Sequence, residues 1–219
     1  MVGRILAAAG TAVAGAIVAG AALRKKAQQK KAARTDKVSA QPSGVLVCGA
    51  TGAGKSSLIN DILDGEYTRT GSGAEVTQGI VECTDGGISI RDTQGYTSGD
   101  FEVYLRWLTE VIEAAPPAEV WYCVNAGSKR FLGSDEECVR SLVELVGSER
   151  ICIVLTKVDL VSEEELKNLR GVILRCVPWI PIVNYSVADR GSSFYCEYVE
   201  KRRSRLIDRA RRASLEEAE

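Results

Sequence analysis

The 219-residue sequence contains no histidine, and this absence excludes more mechanisms than any other feature of its composition. Ser-His-Asp triads, Cys-His pairs, His-ligated zinc sites and histidine pH switches all require an imidazole, so none of them operates here. The sequence also lacks an excess of charge of either sign, because 28 Lys and Arg residues face 29 Asp and Glu residues. The resulting net charge of −1 argues against a generally basic nucleic-acid-binding protein.

The seven cysteines show no CxxC spacing, and most of them lie in apolar runs such as those around Cys48 and Cys152. Free thiols prefer protein interiors, so this pattern is typical of a reduced intracellular protein with small buried thiols. Hydrophobic residues make up 45% of the chain and charged residues 26%. These are ordinary globular values, and they exclude wholesale disorder.

The segment from Ile5 to Leu23 carries no charged residue, and a basic cluster follows it at once over residues 24–34. As a helix, a segment of this length would span about 28 Å, close to the hydrocarbon thickness of a bilayer. Residues 1–23 are therefore predicted to form a single-pass membrane anchor through residues 5–23, with the remainder of the chain in the cytoplasm. An organelle membrane is one candidate location. A cleaved secretory signal and a surface-lying or organelle-targeting segment remain alternatives.

The remainder of the chain divides into three parts by composition: a basic linker over 24–43, an α/β domain over 44–200 and a basic C-terminal helix over 201–219. In the α/β part, apolar strands alternate with amphipathic helices, and Asp85-Gly86 marks a hairpin. This order predicts a mixed, mostly parallel six-stranded sheet with helices on both faces. The predicted strands span 45–48, 78–84, 87–92, 120–124, 151–155 and 180–184, and the predicted helices 56–63, 101–113, 134–146, 163–174 and 194–213.

The first predicted strand runs into Gly49-Ala-Thr-Gly-Ala-Gly54-Lys55-Ser56, which matches G-x-x-x-x-G-K-[ST] between a strand and a helix. Backbone N–H groups of such a loop wrap a phosphate, and the following helix adds its positive end. Lys55 is predicted to bridge the β- and γ-phosphates, and the Ser56 hydroxyl to ligate Mg²⁺. The predicted nucleotide-binding residues of this loop are Gly49, Ala50, Thr51, Gly52, Ala53, Gly54, Lys55, Ser56 and Ser57.

The phosphate loop does not choose between ATP and GTP, but a later motif favours GTP. The strand over 151–155 runs directly into Thr156-Lys157-Val-Asp159. A carboxylate there accepts hydrogen bonds from both N1–H and N2–H of guanine, a pair that adenine cannot donate. Lys157 would cover the base with its aliphatic stem, and a backbone N–H near Ser186 would reach the guanine O6. The predicted base-binding residues are Thr156, Lys157, Asp159, Ser186 and Val187.

A third motif, Asp92-Thr-Gln-Gly95, ends the strand over 87–92. Alternation along this strand brings the Asp92 carboxylate to its carboxyl end, the end at which ligands bind in such sheets. Asp92 is predicted to hold Mg²⁺ through water, and the Gly95 N–H to meet a γ-phosphate. Thr77 is the predicted second hydroxyl for Mg²⁺. The predicted catalytic residues are thus Lys55, Thr77 and Gly95, and the predicted metal ligands Ser56, Thr77 and Asp92.

The ordered set GATGAGKS, Thr77, DTQG, TKVD and SVA resembles the translation-factor-related GTPases, nearest the Era, septin-like and immunity-related branches, over about residues 44–200. The resemblance implies a Ras-like P-loop NTPase domain that binds GTP and GDP with Mg²⁺. It further implies hydrolysis of GTP to GDP and phosphate, with loops that change with the γ-phosphate. Together with the predicted anchor, this gives a membrane-tethered molecular switch.

Three residues depart from that resemblance. Gln94 stands where the family usually has Pro or Ala, and Tyr96 where Ras-like enzymes have the Gln that orients water. Gly52 stands where members stimulated by potassium typically carry Asn. These departures predict slow intrinsic hydrolysis, raised by a protein partner or by self-association. An arginine supplied by a partner contributes about 10³- to 10⁵-fold in such enzymes.

Two other functions remain open from the sequence. One is a GTP-binding docking or assembly module with negligible hydrolysis, and the other is an ATP-using P-loop protein. The C-terminal helix carries seven basic residues between Lys201 and Arg212, and contact with anionic lipid or RNA would suit them. No aromatic residues interleave with this basic run, which favours a solvated helix face and argues against nucleic acid as a partner.

Overall fold

The computed structural model describes residues 43–68, 79–186 and 193–215, with side chains described from Ser204 onward in the last range. The predicted anchor over residues 5–23 and nearly all of the predicted linker lie outside the described residues, as do Thr77 and Val187. Among the helices that are described, none is both long and apolar enough to span a membrane.

Six strands form one mixed sheet, in the order β2-β3-β1-β4-β5-β6. Strand β2 pairs antiparallel with β3, and every other neighbouring pair is parallel. This confirms the sheet that the sequence predicts. The strands are β1 (Val45–Gly49), β2 (Ile80–Asp85), β3 (Ile88–Thr93), β4 (Glu119–Asn125), β5 (Ile151–Thr156) and β6 (Ile182–Asn184).

The helices cover both faces of the sheet, also as predicted. They are α1 (Lys55–Ile62), α2 (Phe101–Ala114), α3 (Gly133–Val146), α4 (Glu163–Cys176) and α5 (Ser193–Leu215), with short 3₁₀ turns at Ala126–Ser128, Ser148–Arg150 and Val158–Leu160. Helices α2, α3 and α4 contribute to the core on one face through residues such as Leu108, Leu142 and Ile173. Helices α1 and α5 pack on the other face through Leu58 and Leu206.

The central strands β1, β4 and β5 are mostly apolar, as expected of strands whose two faces are both covered. In β4, Trp121 is fully buried on the α1 and α5 side, and its neighbour Tyr122 is fully buried on the opposite side. The last strand is shorter than predicted and begins at Ile182. Pro181, which precedes it, has no N–H to donate to a ladder and only accepts a hydrogen bond from the N–H of Ile153.

Helix α5 is continuous across residue 200, the predicted boundary between the domain and a C-terminal extension. Its described half packs on the sheet, because Leu206, Ala210 and Ala213 are buried there. The Arg209 guanidinium also forms an ion pair with the Glu119 carboxylate of β4. The exposed side of this half carries Arg205, Arg211 and Arg212.

The chain reaches the sheet at the amino end of β1. The N–H of Ser43 donates to the carbonyl of Pro116 at 3.1 Å, and the N–H of Gly44 donates to that of Ala213 at 3.0 Å. Residues 43 and 44 are thereby fixed between the start of β4 and the end of α5. The phosphate loop leaves β1 from its other end, so Ser43 and Gly44 lie at the edge of the sheet opposite that loop.

Candidate functional site

The three sequence motifs meet at the carboxyl edge of the sheet, at the ends of β1, β3 and β5. Strand β1 lies between β3 and β4, and its register aligns Val47 with Asp92. In α/β sheets, ligands usually bind in the crevice at the carboxyl ends of two neighbouring parallel strands whose loops lead to opposite faces of the sheet. The predicted phosphate, metal and base residues that the structure describes therefore lie along one edge.

The phosphate loop depends on two glycines with positive φ angles. Gly49 has a φ of 135°, and a Cβ placed on it would lie 2.4 Å from the carbonyl oxygen of Cys123 in β4. Gly54 has a φ of 85°, and its Cβ would lie 3.3 Å from the Thr156 side chain. A side chain at either position would push the loop away from the neighbouring strands.

Lys55 lies beneath this loop with only 7% of its surface exposed. Its ammonium Nζ donates to the carbonyl oxygens of Gly49 at 3.2 Å and of Ala50 at 3.1 Å. These contacts place a positive charge beside the backbone N–H groups of the loop and the amino end of α1. The combination is suited to a phosphate group. Ser57 follows in α1 and is half-buried.

Two of the three predicted metal ligands are in contact. The Ser56 hydroxyl donates to Oδ2 of Asp92 at 2.7 Å, and Asp92 is fully buried. A hydroxyl beside a carboxylate presents the hard oxygen atoms that Mg²⁺ prefers. Thr77, the third predicted ligand, lies outside the described residues.

The base motif is tied to the phosphate loop by two side chains. The Thr156 hydroxyl donates to the carbonyl of Ala53 at 2.6 Å and lies 3.2 Å from that of Val124. The Lys157 ammonium donates to the carbonyl of Gly52 at 3.0 Å. The Thr156 hydroxyl therefore holds the phosphate loop in place by a hydrogen bond, a role that the sequence does not predict.

The Asp159 carboxylate is exposed at the same edge, and the Ser186 hydroxyl donates to its Oδ1. Ser186 is itself almost fully buried at the end of β6. The sequence predicts only that a backbone N–H near Ser186 reaches the base. In the structure the Ser186 side chain also orients the Asp159 carboxylate. Val187 lies outside the described residues.

The DTQG segment packs directly on the phosphate loop. The N–H of Thr51 donates to the carbonyl of Tyr96 at 2.9 Å. A Cβ placed on Gly95 would lie 2.6 Å from both the backbone nitrogen and the Cα of Thr51. Only glycine permits this approach. The contact between Gly95 and Thr51, here called the Gly95 junction, joins the DTQG segment to the phosphate loop.

Tyr96 turns away from the site into the core, where 4% of its surface is exposed. Its hydroxyl donates to Oδ1 of Asp135 at 2.7 Å and lies 2.8 Å from the Tyr122 hydroxyl. Burial and the nearby Asp135 charge raise the pKa of Tyr96, so the phenol stays neutral. Tyr96 is therefore not placed to orient a water molecule.

Two amide side chains hold the described residues on either side of segment 69–78. Oε1 of Gln94 accepts from the N–H of Gly79 at 3.0 Å, and the Gln94 N–H donates to the Gly79 carbonyl at 2.8 Å. Oδ1 of Asn60 accepts from the N–H groups of Tyr67 and Thr68, at 3.0 Å and 2.9 Å. Neither role is predicted from the sequence, because no motif pairs Gln94 with Gly79 or Asn60 with Thr68.

No protein-family model and no curated protein matches the chain. Solved structures do match it. Toc33 from Arabidopsis thaliana in complex with Mg²⁺ and GMPPNP has 19% identity and a TM-score of 0.57, over 86% of this chain and 88% of that one. A variant of Era from Aquifex aeolicus bound to GDP and AlF₄⁻ has 18% identity and a TM-score of 0.51, over 75% of this chain and 57% of that one.

A third structure, of the chloroplast translocon components atToc33 and psToc159, has 20% identity and a TM-score of 0.53, over 77% of this chain and 76% of that one. It is described as indicating that dimerization is important for the GTPase activity of those proteins. At such identities the similarity concerns the fold. The predicted Ras-like architecture is thereby confirmed: the chain has the fold of a small P-loop GTPase domain.

Proposed function

We propose that this domain binds GTP and GDP with Mg²⁺ and hydrolyses GTP to GDP and phosphate. One observation carries the proposal: the Ser56 hydroxyl contacts Asp92, and the ammonium of the preceding, buried Lys55 is bonded to the carbonyls of the phosphate loop. A positive charge and two hard oxygens under a phosphate loop are what a Mg²⁺-bound triphosphate requires.

Guanine is the proposed base because of Asp159. Its carboxylate is accessible and oriented by the Ser186 hydroxyl, so it can accept from both N1–H and N2–H of guanine. Lys157 is anchored on Gly52, which places its stem between the phosphate loop and the base motif. Adenine would leave the carboxylate without these two donors.

The residues present fit a Mg²⁺ ion. Ser56 and Asp92 would hold it, the first directly and the second through water, with Thr77 as the further proposed hydroxyl. A bound Mg²⁺ neutralises phosphate charge. Lys55 and the N–H groups of the loop stabilise the charge that develops as water attacks the γ-phosphorus and the bond to the β-phosphate oxygen breaks.

Slow intrinsic turnover follows from two side chains. Tyr96 is buried against Asp135, and the Gln94 amide oxygen is bonded to Gly79, so neither is placed to orient the attacking water. Lys55 still binds and positions the phosphates of the nucleotide, and this supports hydrolysis at a low rate.

Nucleotide binding and single-turnover hydrolysis in the presence of Mg²⁺ test this function. Asp159→Asn is expected to weaken GTP binding about 10- to 100-fold and leave ATP binding unchanged. Asp208→Asn, at an exposed position of α5, is the matched control. Equal affinity for ATP and GTP in both variants would support an ATP-using protein. A hydrolysis rate unchanged by Lys55→Ala would leave only a GTP-binding docking module.

We also propose self-association through the surface beside the base motif. Leu132 and Leu160 are 52% and 63% exposed, and Arg130, two residues before Leu132, is exposed as well. A Cβ on Gly127 would lie 3.3 Å from Leu160, so the two loops are adjacent. The dimerization described for the translocon GTPases, which share this fold, supports the idea.

Sedimentation with GDP and with a non-hydrolysable GTP analogue tests self-association. Leu160→Asp is expected to shift the protein to monomer, because it places a charge in a contact that excludes water. Leu174→Asp, at a 44% exposed position in α4, should leave the distribution unchanged. Equal behaviour of the two variants would contradict this surface.

We propose, finally, that residues 1–23 anchor the domain to a membrane through the uncharged run at 5–23, with 24–43 as linker. The run and its basic flank support the anchor, and the hydrogen bonds of Ser43 and Gly44 join the linker to the edge opposite the phosphate loop. The packing of α5 extends the proposed domain from residue 44 to 215. Carbonate extraction with protease protection tests the anchor, and release of the intact chain by carbonate would refute it.

A further inference from the structure

The Thr51 hydroxyl is an exception among the buried polar atoms of the phosphate loop. Its Oγ1 is shielded from solvent and has no hydrogen-bond partner in the described part of the chain. Most buried polar atoms in proteins have a partner, since a lost hydrogen bond to water is otherwise uncompensated. A hydroxyl kept in this condition inside a binding loop indicates that a ligand supplies the partner.

The location of this hydroxyl identifies the ligand group. Thr51 lies on the phosphate loop between Ala50 and Gly52, and a Cβ placed on Gly95 would lie 2.7 Å from its Oγ1. The N–H of Thr51 donates to the Tyr96 carbonyl, which holds Gly95 over the hydroxyl. Gly95 ends the motif predicted to meet the γ-phosphate. The hydroxyl therefore lies where the terminal phosphate of a triphosphate would meet that motif.

The neighbouring polar groups have other contacts. The Lys55 ammonium donates to carbonyls of the loop, the Lys157 ammonium to Gly52 and the Gln94 amide oxygen accepts from Gly79. Thr51 Oγ1 is a donor at the Gly95 junction for which the described residues provide no acceptor. A γ-phosphate oxygen is the acceptor that a nucleoside triphosphate has and a diphosphate lacks.

We propose that the Thr51 hydroxyl donates a hydrogen bond to a γ-phosphate oxygen of GTP and so discriminates GTP from GDP. This inference rests on the proposed function. Gly95 lies against the hydroxyl, and a γ-phosphate oxygen that meets Gly95 would also lie within reach of the Thr51 Oγ1. Binding of GTP thereby gives the hydroxyl a charge-assisted hydrogen bond that GDP, which has no γ-phosphate, does not provide.

Equilibrium binding of GDP and of a non-hydrolysable GTP analogue tests the proposal, with thermal unfolding of the unliganded protein as a second readout. Thr51→Val keeps the shape of the side chain and removes the hydroxyl. It is expected to weaken binding of the analogue about 10- to 100-fold and to leave GDP binding unchanged. The melting temperature of the unliganded variant is expected to rise, because an unpartnered buried hydroxyl is lost.

Two further variants complete the experiment. Thr51→Ser retains the hydroxyl and should restore the wild-type preference for the GTP analogue over GDP. Thr97→Val changes an exposed threonine just beyond the same junction and should alter neither affinity.

The outcomes separate the inference from the function on which it rests. A Thr51→Val protein with the wild-type ratio of analogue to GDP affinity would overturn the role of the hydroxyl and leave the proposed function intact. A fall of both affinities together with the melting temperature would overturn it in favour of a structural role. A wild-type protein that binds neither guanine nucleotide would overturn the proposed function itself.

Discussion

The Tyr96 hydroxyl donates a hydrogen bond of 2.7 Å to Oδ1 of Asp135, a residue 39 positions further along the chain. The Tyr122 hydroxyl donates to the same oxygen at 2.7 Å, and Oδ2 accepts from the N–H of Leu132 at 2.8 Å. The segment that follows Gly95 is thus fixed to the amino end of α3 by a buried carboxylate. The position that carries a water-orienting glutamine in Ras-like enzymes here stabilises the fold.

Tyr96→Phe is expected to lower the free energy of unfolding by about 1–3 kcal/mol, because the buried Asp135 carboxylate loses one of its donors. Chemical denaturation measures this change. Tyr122→Phe should have a comparable effect, and the double variant should depart from the sum of the two, since both tyrosines serve one oxygen. Strict additivity would show that the two hydroxyls act independently.

Gly95→Ala is expected to abolish close packing of the DTQG segment on the phosphate loop, since its Cβ would lie 2.6 Å from Thr51 backbone atoms. Single-turnover hydrolysis should slow at least tenfold, while GDP binding should persist because the loop itself is unchanged. Gly99→Ala is the control, because a Cβ there meets only the Thr97 side chain at 4.0 Å. Wild-type hydrolysis by Gly95→Ala would exclude a role for this contact in turnover.

Leu206→Ala is expected to destabilise the domain by about 2–5 kcal/mol, the usual result of removing a fully buried leucine. Arg205→Ala changes the adjacent exposed residue and should be nearly neutral. Thermal or chemical unfolding measures both. Equal small effects would mean that α5 does not belong to the cooperative unit.

Stability at low pH is expected to depend on Glu165. The ion pair with Lys129, at 2.6 Å, and the N–H of Ser162 lower the pKa of Glu165 from 4.5 to about 2. A carboxyl group with a lowered folded-state pKa stabilises the protein fully above its unfolded value and loses this contribution as the pH falls. The difference in melting temperature between wild type and Glu165→Gln should therefore be greatest above pH 4.5 and shrink towards pH 2.

Because the pair is exposed, this difference should be small and should decrease with salt. Glu164→Gln removes a carboxylate from the same turn of α4 and controls for the loss of one negative charge. A difference between wild type and Glu165→Gln that stays constant from pH 6 to pH 2 would contradict the assignment.

Local patterns were sufficient for the strands and for the phosphate loop. Continuous apolar runs such as Ile151–Leu155 have only one favourable environment, the middle of a covered sheet. The glycines around Lys55 specify a turn that few other residues permit. The parallel pairing of β1 with β3 then brings Asp92 to Ser56, and this neighbour relation is not contained in any local pattern.

The contacts that the sequence did not predict join residues far apart in the chain. Gln94 with Gly79 and Tyr96 with Asp135 meet only after the sheet and helix α3 are assembled. The sequence predicts α5 as a helix, but the apolar stripe of this helix is narrow and interrupted by arginines. Its packing on the sheet was therefore not apparent from composition.

The contacts of the Thr156 hydroxyl with the phosphate loop and β4 have a thermodynamic consequence. One hydroxyl links the phosphate loop at Ala53 to β4, and the adjacent Lys157 bonds to Gly52. A ligand that orders the phosphate loop therefore also orders the base motif, and the reverse holds too. The conformational entropy cost of ordering is then met by the first ligand and not repeated for the second. Guanosine and inorganic triphosphate, bound as separate fragments, should show positive cooperativity, and the intact nucleotide should bind more tightly than the sum of fragment free energies measured singly.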